Sequence, residues 1–237
     1  MGKAPAANDE SSRGFSAFER MRMSVGMKQS ACGWEMELAA WAGGAVRVAG
    51  VDEVGRGPLF GPVVAAAVVL PTECAGDAAR LAGLNDSKLL KEAERERLAG
   101  EIRELAVAWA VARVDVATID RVNIREATRM AMRMAIGEVA ADFALVDGNC
   151  AVDLSGLSCG QRTVVKGDRL SMSIAAASVV AKVDRDGLMR RMDAEFPGYG
   201  LARHKGYGTA EHLAALRRLG ATDEHRRSFR PVREALG

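Results

Sequence analysis

Four acidic residues carry the strongest chemical signal in this sequence. Asp52 and Glu53 close an apolar, β-branched run that begins at Val46, Asp147 closes the run FALVD, and Asp168 ends VVKGD. In open α/β sheets, side chains at the carboxyl ends of strands converge on a crevice where chemistry collects. An acid that ends a strand ordinarily caps a helix or closes a turn; acids at three separate strand ends point instead to a shared site. If those ends are neighbours in the sheet, the four carboxylates meet within a few ångströms and cannot all stay ionised without cations between them. The set predicts metal.

Ligation by oxygen alone selects hard ions, Mg²⁺ or Mn²⁺. Two such ions about 3.5–4 Å apart can activate a water and stabilise the leaving oxygen in phosphodiester cleavage, a reaction that needs no nucleophilic Ser or Cys. His204, His212 and His225 lack HxxxH spacing and the four cysteines form no CxxC pair, which disfavours zinc. Asp52 and Glu53 are sequential, so a regular strand would point them to opposite faces. Both reach one site only if the strand breaks there, and Gly55 and Gly57 make a break expected.

The segment from Val54 to Gly61, VGRGPLFG, places glycines beside the acid pair. A dinucleotide-binding turn needs a helix directly after the glycines, but residues 62–70 read as a strand, and the absence of GK[ST] excludes a P-loop. What remains is exposed backbone able to hydrogen-bond a sugar hydroxyl or a phosphate, or a tight turn with a solvated Arg56.

The elements that must position these residues follow from periodicity and breakers. A short helix lies within GWEMELAAWAGG, from Gly33 to the stop at Gly43 and Gly44. Residues 46–51 and 63–70 read as strands, antiparallel because the Gly/Pro connector is too short for a crossover helix. A charged amphipathic helix over 91–105 leads to a strand over 107–114, and a helix over 123–139 leads into FALVD. A strand over 163–165 precedes a long helix over 171–195. The last helix spans 209–219, with Thr209 as N-cap and Gly220 as stop. Met130, Met132 and Met134 read as core filler. The result is an α/β fold: a mixed sheet, antiparallel in its first strands and then parallel, flanked by helices.

With 237 residues, 49% hydrophobic and 27% charged, the chain is long enough to build a core and is neither disordered nor fibrous overall. No apolar run reaches membrane-span length, and few unpaired cysteines fit a reducing cytosol. The net charge of +2 does not announce a nucleic-acid binder, but from Arg185 onward 11 Lys plus Arg face 7 acids. That local excess suggests a clamp on a polyanionic backbone. Residues 1–32 read as a disordered tail, a mobile basic arm or an over-extended start.

From about Met36 to the C-terminus, a series of motifs in one order resembles bacterial ribonuclease HII. They are VAGVDEVGRGPLFGPVVAAAVVL, LNDSKLL, ALVDGN, VVKGD followed by SIAAASVVAKVDRD, and HKGYGTAEH with HRRSFRPV. The resemblance implies a ribonuclease-H-like catalytic domain over 33–200 and a helical C-terminal segment over 201–237 that contributes to substrate binding. It implies a monomeric cytoplasmic endonuclease, using two Mn²⁺ or Mg²⁺ ions, that cuts the RNA strand of RNA–DNA hybrids. The same activity would nick duplex DNA 5′ of an embedded ribonucleotide, leaving 3′-hydroxyl and 5′-phosphate ends. By resemblance, Asp52, Glu53, Asp147 and Asp168 hold the metal, and the backbone of Gly55, Arg56 and Gly57 contacts the ribose 2′-hydroxyl. Tyr207 would stack on the next sugar, and Lys88 would contact a phosphate. The alternatives are a catalytically silent nucleic-acid-binding member of the fold and a nuclease of different specificity. Concentrated negative charge argues against the first, since a binder of phosphates gains nothing from it; the glycine segment with Tyr207 argues against the second.

Overall fold

A computed structural model describes residues 32–77, 81, 83–84, 87 and 90–236. The expected tail lies outside the described residues except for Cys32, and Lys88 lies outside them as well. Helix α1 (Glu35–Ala42) precedes strands β1 (Val48–Val54) and β2 (Val63–Val69). Helix α2 (Glu92–Leu105), strand β3 (Ala108–Val114) and helices α3 (Val116–Val122) and α4 (Ile124–Glu138) follow. Strands β4 (Phe143–Asp147) and β5 (Gly160–Val164) then lead to the long helix α5 (Met172–Glu195). The C-terminal segment holds α6 (Leu201–His204), α7 (Ala210–Leu219) and α8 (Arg230–Ala235).

The sheet is mixed, as expected. Among the described residues its order is β3-β2-β1-β4-β5, with β1/β2 and β2/β3 antiparallel and β1/β4 and β4/β5 parallel. Strand β2 is buried along its whole length because it has a helix on each face. Its alternate residues divide between the two layers: Val63, Ala65 and Ala67 pack in the cluster with Ala131, Met132 and Ala135 of α4, whereas Ala66 and Val68 pack with Ala176, Val179 and Val180 of α5. Helix α5 lies close against β1. A Cβ placed on Gly50 would sit 1.9 Å from the Ser173 carbonyl carbon, so only glycine lets the two backbones meet.

Three local expectations are corrected. Strand β1 does not end at the acids but continues through Val54. Helix α3 stands apart from α4: Asp115 caps the first by accepting from the Thr118 amide, and Asn123, at φ 72°, caps the second. Of the three methionines, Met132 is buried while Met130 and Met134 are 40% and 52% exposed, because a spacing of two on a helix sends neighbours to opposite sides.

The C-terminal segment closes on the connector between β1 and β2. Phe60 of that connector forms an isolated bridge with His225, and its ring meets the His225 ring edge-on at 4.8 Å. A hydrogen-bond chain fixes the two imidazoles as neutral tautomers. The Thr222 amide donates to His225 Nδ1 at 3.0 Å, which makes His225 Nε2 the donor to His212 Nε2 at 3.3 Å. His212 Nδ1 then donates to the Tyr207 carbonyl at 3.0 Å. Burial, and then the neighbouring His212, pull His225 down to about 4; burial also lowers His212.

An unfolded histidine titrates near 6.5 and His225 in the fold near 4, so the unfolded chain binds the extra proton between those values. This contribution is complete above about pH 6.5 and is lost as the pH falls toward 4, at up to about 1.4 kcal/mol per pH unit for one proton. Urea unfolding at pH 7 and pH 5 should show the wild type losing about 1–2 kcal/mol more than His225→Gln. Equal losses would mean that the imidazole chain does not control acid stability.

Candidate active site

The ends of β1, β4 and β5 are adjacent in the sheet, which brings the acid-bearing ends side by side. The pairing of β1 with β4 stops at Val51 and Val146, so the acids lie just beyond the last rung, where the strands no longer cover each other. Asp52 faces α5. It is 7% exposed, its Oδ1 accepts the Glu53 amide at 2.7 Å, and Ser178 of α5 is near enough to lower its carboxyl against the effect of burial. Glu53 faces α4 and opens into a recess shared with Asp147, Arg56, Arg125 and Arg129. The expected strand break is absent: both residues keep regular pairing with β2, and they do point to opposite faces. They reach common ground around the open edge of β1 rather than through a kink.

Asp147 is held from the next strand end, where its Oδ1 accepts the Gly167 amide at 2.7 Å. Asp168 follows Gly167 in the short 3₁₀ turn Gly167–Arg169 and is 8% exposed. Its carbonyl accepts the Cys32 thiol at 3.1 Å. Lys166 supports that turn at φ 58°. Among the described residues, no three His, Cys, Asp or Glu side chains form a closed metal cage. The carboxylates are arrayed around three strand ends, and the compact four-acid cluster expected from the sequence is not preassembled.

Electrostatics nevertheless link three of them. Burial raises the Asp52 carboxyl well above its ordinary range, and the charges of Glu53 and Asp147 raise it further, against the lowering effect of Ser178. Burial and Asp147 also raise Glu53, opposed by Arg56, whose Nη1 lies 3.1 Å from Glu53 Oε1. Oxygen donors that repel one another and carry no His or Cys among them fit a hard divalent cation.

Sequence reasoning missed the hydroxyl pair behind Asp52. Ser178 Oγ lies 2.9 Å from Ser87 Oγ, and both residues are buried, so the DSK segment reaches the site through its serine. The only available signal was a polar residue on the apolar face of α5.

The glycine segment and Tyr207 are brought together. Gly55 has φ +90°, and a Cβ there would lie 2.2 Å from Arg185 Nε, so both conformation and contact demand glycine. A Cβ on Gly57 would lie 3.4 Å from the Tyr207 ring, which is 43% exposed. Part of the local charge excess is structural: Arg185 and Arg226 are fully buried, and Arg190, Arg203, Arg227 and Arg230 each pair with a carboxylate, whereas Arg191, Arg217, Arg218 and Arg233 are exposed. Burial pulls Arg185 down to about 10 and Arg226 to about 9, and both remain charged at neutral pH.

A family model for ribonuclease HII matches residues 49–232. Ribonuclease HII of Rhodospirillum rubrum is 56% identical over 205 residues, covering 85% of this chain and 91% of the relative. That of Geobacillus thermodenitrificans is 53% identical over 206 residues, covering 86% and 75%. The fold is similar to the crystal structure of Bst-RNase HIII in complex with Mn²⁺, with a TM-score of 0.67, 22% identity, and coverage of 81% of this chain and 69% of that one.

Mutual repulsion among the acids predicts that Asp52→Asn stabilises the metal-free protein, since Asn keeps an acceptor for the Glu53 amide and removes a buried charge. Its Tm in a chelator at pH 7 should exceed that of the wild type by about 2 °C or more. Because burial raises the Asp52 carboxyl above its unfolded value, the gain should shrink as the pH falls and Asp52 protonates. A lower Tm, or a gain independent of pH, would contradict the repulsion.

Proposed function

The chain belongs to the ribonuclease HII family and is a ribonuclease, and we propose that it is a divalent-metal-dependent endonuclease acting on RNA–DNA hybrids and on duplex DNA that carries a single ribonucleotide. It would cut on the 5′ side of the ribonucleotide and leave 3′-hydroxyl and 5′-phosphate ends. The observation that carries this reading is the set of mutually repelling, buried and half-buried carboxylates at neighbouring strand ends, set next to a glycine loop that faces a tyrosine ring.

In this reading Asp52, Glu53, Asp147 and Asp168 hold two Mg²⁺ or Mn²⁺ ions. When bound, the ions would supply activation of the attacking water and stabilisation of the leaving oxygen. The protein's own groups do the rest. Ser178 keeps Asp52 aimed from one face of β1, Arg56 restrains Glu53 on the other, and the Gly167 amide orients Asp147. Glycines at 55 and 57 allow a sugar to approach the loop backbone, which can read the 2′-hydroxyl that separates RNA from DNA. The half-exposed Tyr207 ring beside Gly57 is placed to press on the adjoining deoxyribose and favour the RNA–DNA junction. Lys88 is retained as a phosphate contact from its place in the DSK segment, outside the described residues.

The test is a duplex DNA with one internal ribonucleotide, incubated with Mg²⁺ or Mn²⁺. A single nick 5′ of the ribonucleotide is expected; no nick, or equal cutting of all-DNA duplex, would reject the reading. Asp147→Asn should lower kcat by about 10²-fold or more while duplex affinity in chelator changes less than threefold or so. Retained turnover would remove Asp147 from the metal site. Tyr207→Ala should reduce cutting at the junction by about tenfold, a loss near 1.4 kcal/mol of transition-state stabilisation. A wild-type rate would make the ring a bystander.

A further inference from the structure

The part of this chain that holds the glycine loop in shape comes from the far C-terminus. Arg226 is fully buried, and one guanidinium donates to three carbonyls of the connector between β1 and β2. Nη2 reaches Gly55 O at 2.6 Å, Nη1 reaches Arg56 O at 3.0 Å and Nε reaches Gly61 O at 2.9 Å. The Arg226 amide also donates to Leu59 O at 2.8 Å, and its guanidinium carbon lies 5.2 Å over the Phe229 ring. Among the described residues, the hydrogen-bond partners of this cation are peptide oxygens and no carboxylate forms an ion pair with it.

Peptide geometry turns this anchoring into an orientation. All peptide bonds described are trans, so the C=O of one residue and the N–H of the next point in opposite directions across the same plane. With the Gly55 and Arg56 carbonyls drawn inward onto Arg226, the amides of Arg56 and Gly57 are turned outward, away from the interior. A second buried arginine sets the opposing wall. Arg185 donates to Lys205 O at 2.8 Å and to Phe60 O at 3.2 Å, and Leu59 N donates to Gly206 O at 2.8 Å, so the turn that carries Tyr207 is tied to the same connector.

We infer that Arg226 is a specificity-determining positioning residue: its forked guanidinium presents the outward amides of Arg56 and Gly57 at a fixed distance from Tyr207, and so sets how strongly a ribose is told from a deoxyribose. This rests on the reading of the loop as the sugar contact. A lysine cannot replace it, because a single ammonium on a flexible stem does not span three carbonyls in one plane. Buried guanidinium hydrogen bonds of this kind act on the loop and not on the metal-binding acids, so the expected consequence is lost discrimination and not lost phosphodiester chemistry as such.

The experiment compares binding, in chelator, of two duplexes identical except for one ribonucleotide, for wild type and Arg226→Lys, with the melting temperature of each protein recorded. The wild type should prefer the ribonucleotide duplex. Arg226→Lys should bind all-DNA duplex as the wild type does while its preference shrinks by about tenfold, with a matching fall in kcat/KM on the ribonucleotide duplex. If the wild type shows no preference, the sugar-contact reading fails; if the wild type discriminates and the folded variant discriminates equally, the role of Arg226 fails alone. Should Arg226→Lys not fold, the wild type answers instead. The Arg226 Nε–H resonance should shift on adding the ribonucleotide duplex and not on adding all-DNA duplex, and identical responses to both would overturn the inference.

Discussion

Negative charge brought together at the ends of two neighbouring strands, β1 and β4, is the constraint that the rest of the structure accommodates. Strand β1 lies between β2 and β4, and its pairing with β4 ends one residue before Asp52. Parallel alignment of β1 with β4 then brings Asp147 alongside, so carboxylates on three surfaces of two strand ends feel one another. Burying such a set costs stability unless the charges are neutralised or matched by cations. The protein supplies partial relief through Ser178, Arg56 and the Gly167 amide, and leaves the remainder for ligands of opposite charge.

The same economy of placement explains the C-terminal segment. Its helices add little to the sheet; they fold around the β1–β2 connector and fix it from behind. Two buried arginines satisfy inward-facing carbonyls there, and a chain of neutral imidazoles ends on the Tyr207 carbonyl. The glycine loop and the acid-sensitive imidazole pair are therefore held in one small region, while the strand-end acids depend on the sheet itself.

Much of this was legible in the sequence where the signal is local. Apolar runs closing in Asp52, Glu53 and Asp147 located three of the acids on the last residues of β1, which runs on to Val54, and at the end of β4, and Thr209 with Gly220 marked the bounds of α7. Residues with long-range roles were not legible. Arg185 and Arg226 counted as surface charge because composition does not reveal burial, and Ser178 looked like any small residue in an apolar helix. The supposed kink at Asp52 followed from requiring adjacent residues to face one site; the fold instead lets them straddle an uncovered strand edge. Methionines spaced by two could not all be core once their helix had a solvent side.

The central claim is that these strand-end carboxylates exist to hold divalent cations beside a scissile phosphodiester. Anomalous scattering from Mn²⁺ in crystals of the protein with a ribonucleotide-containing duplex tests it most directly. The account predicts manganese peaks between Asp52, Glu53, Asp147 and Asp168, next to the phosphate on the 5′ side of the ribonucleotide. Manganese located elsewhere, with those carboxylates unligated and the phosphate distant from them, would contradict it.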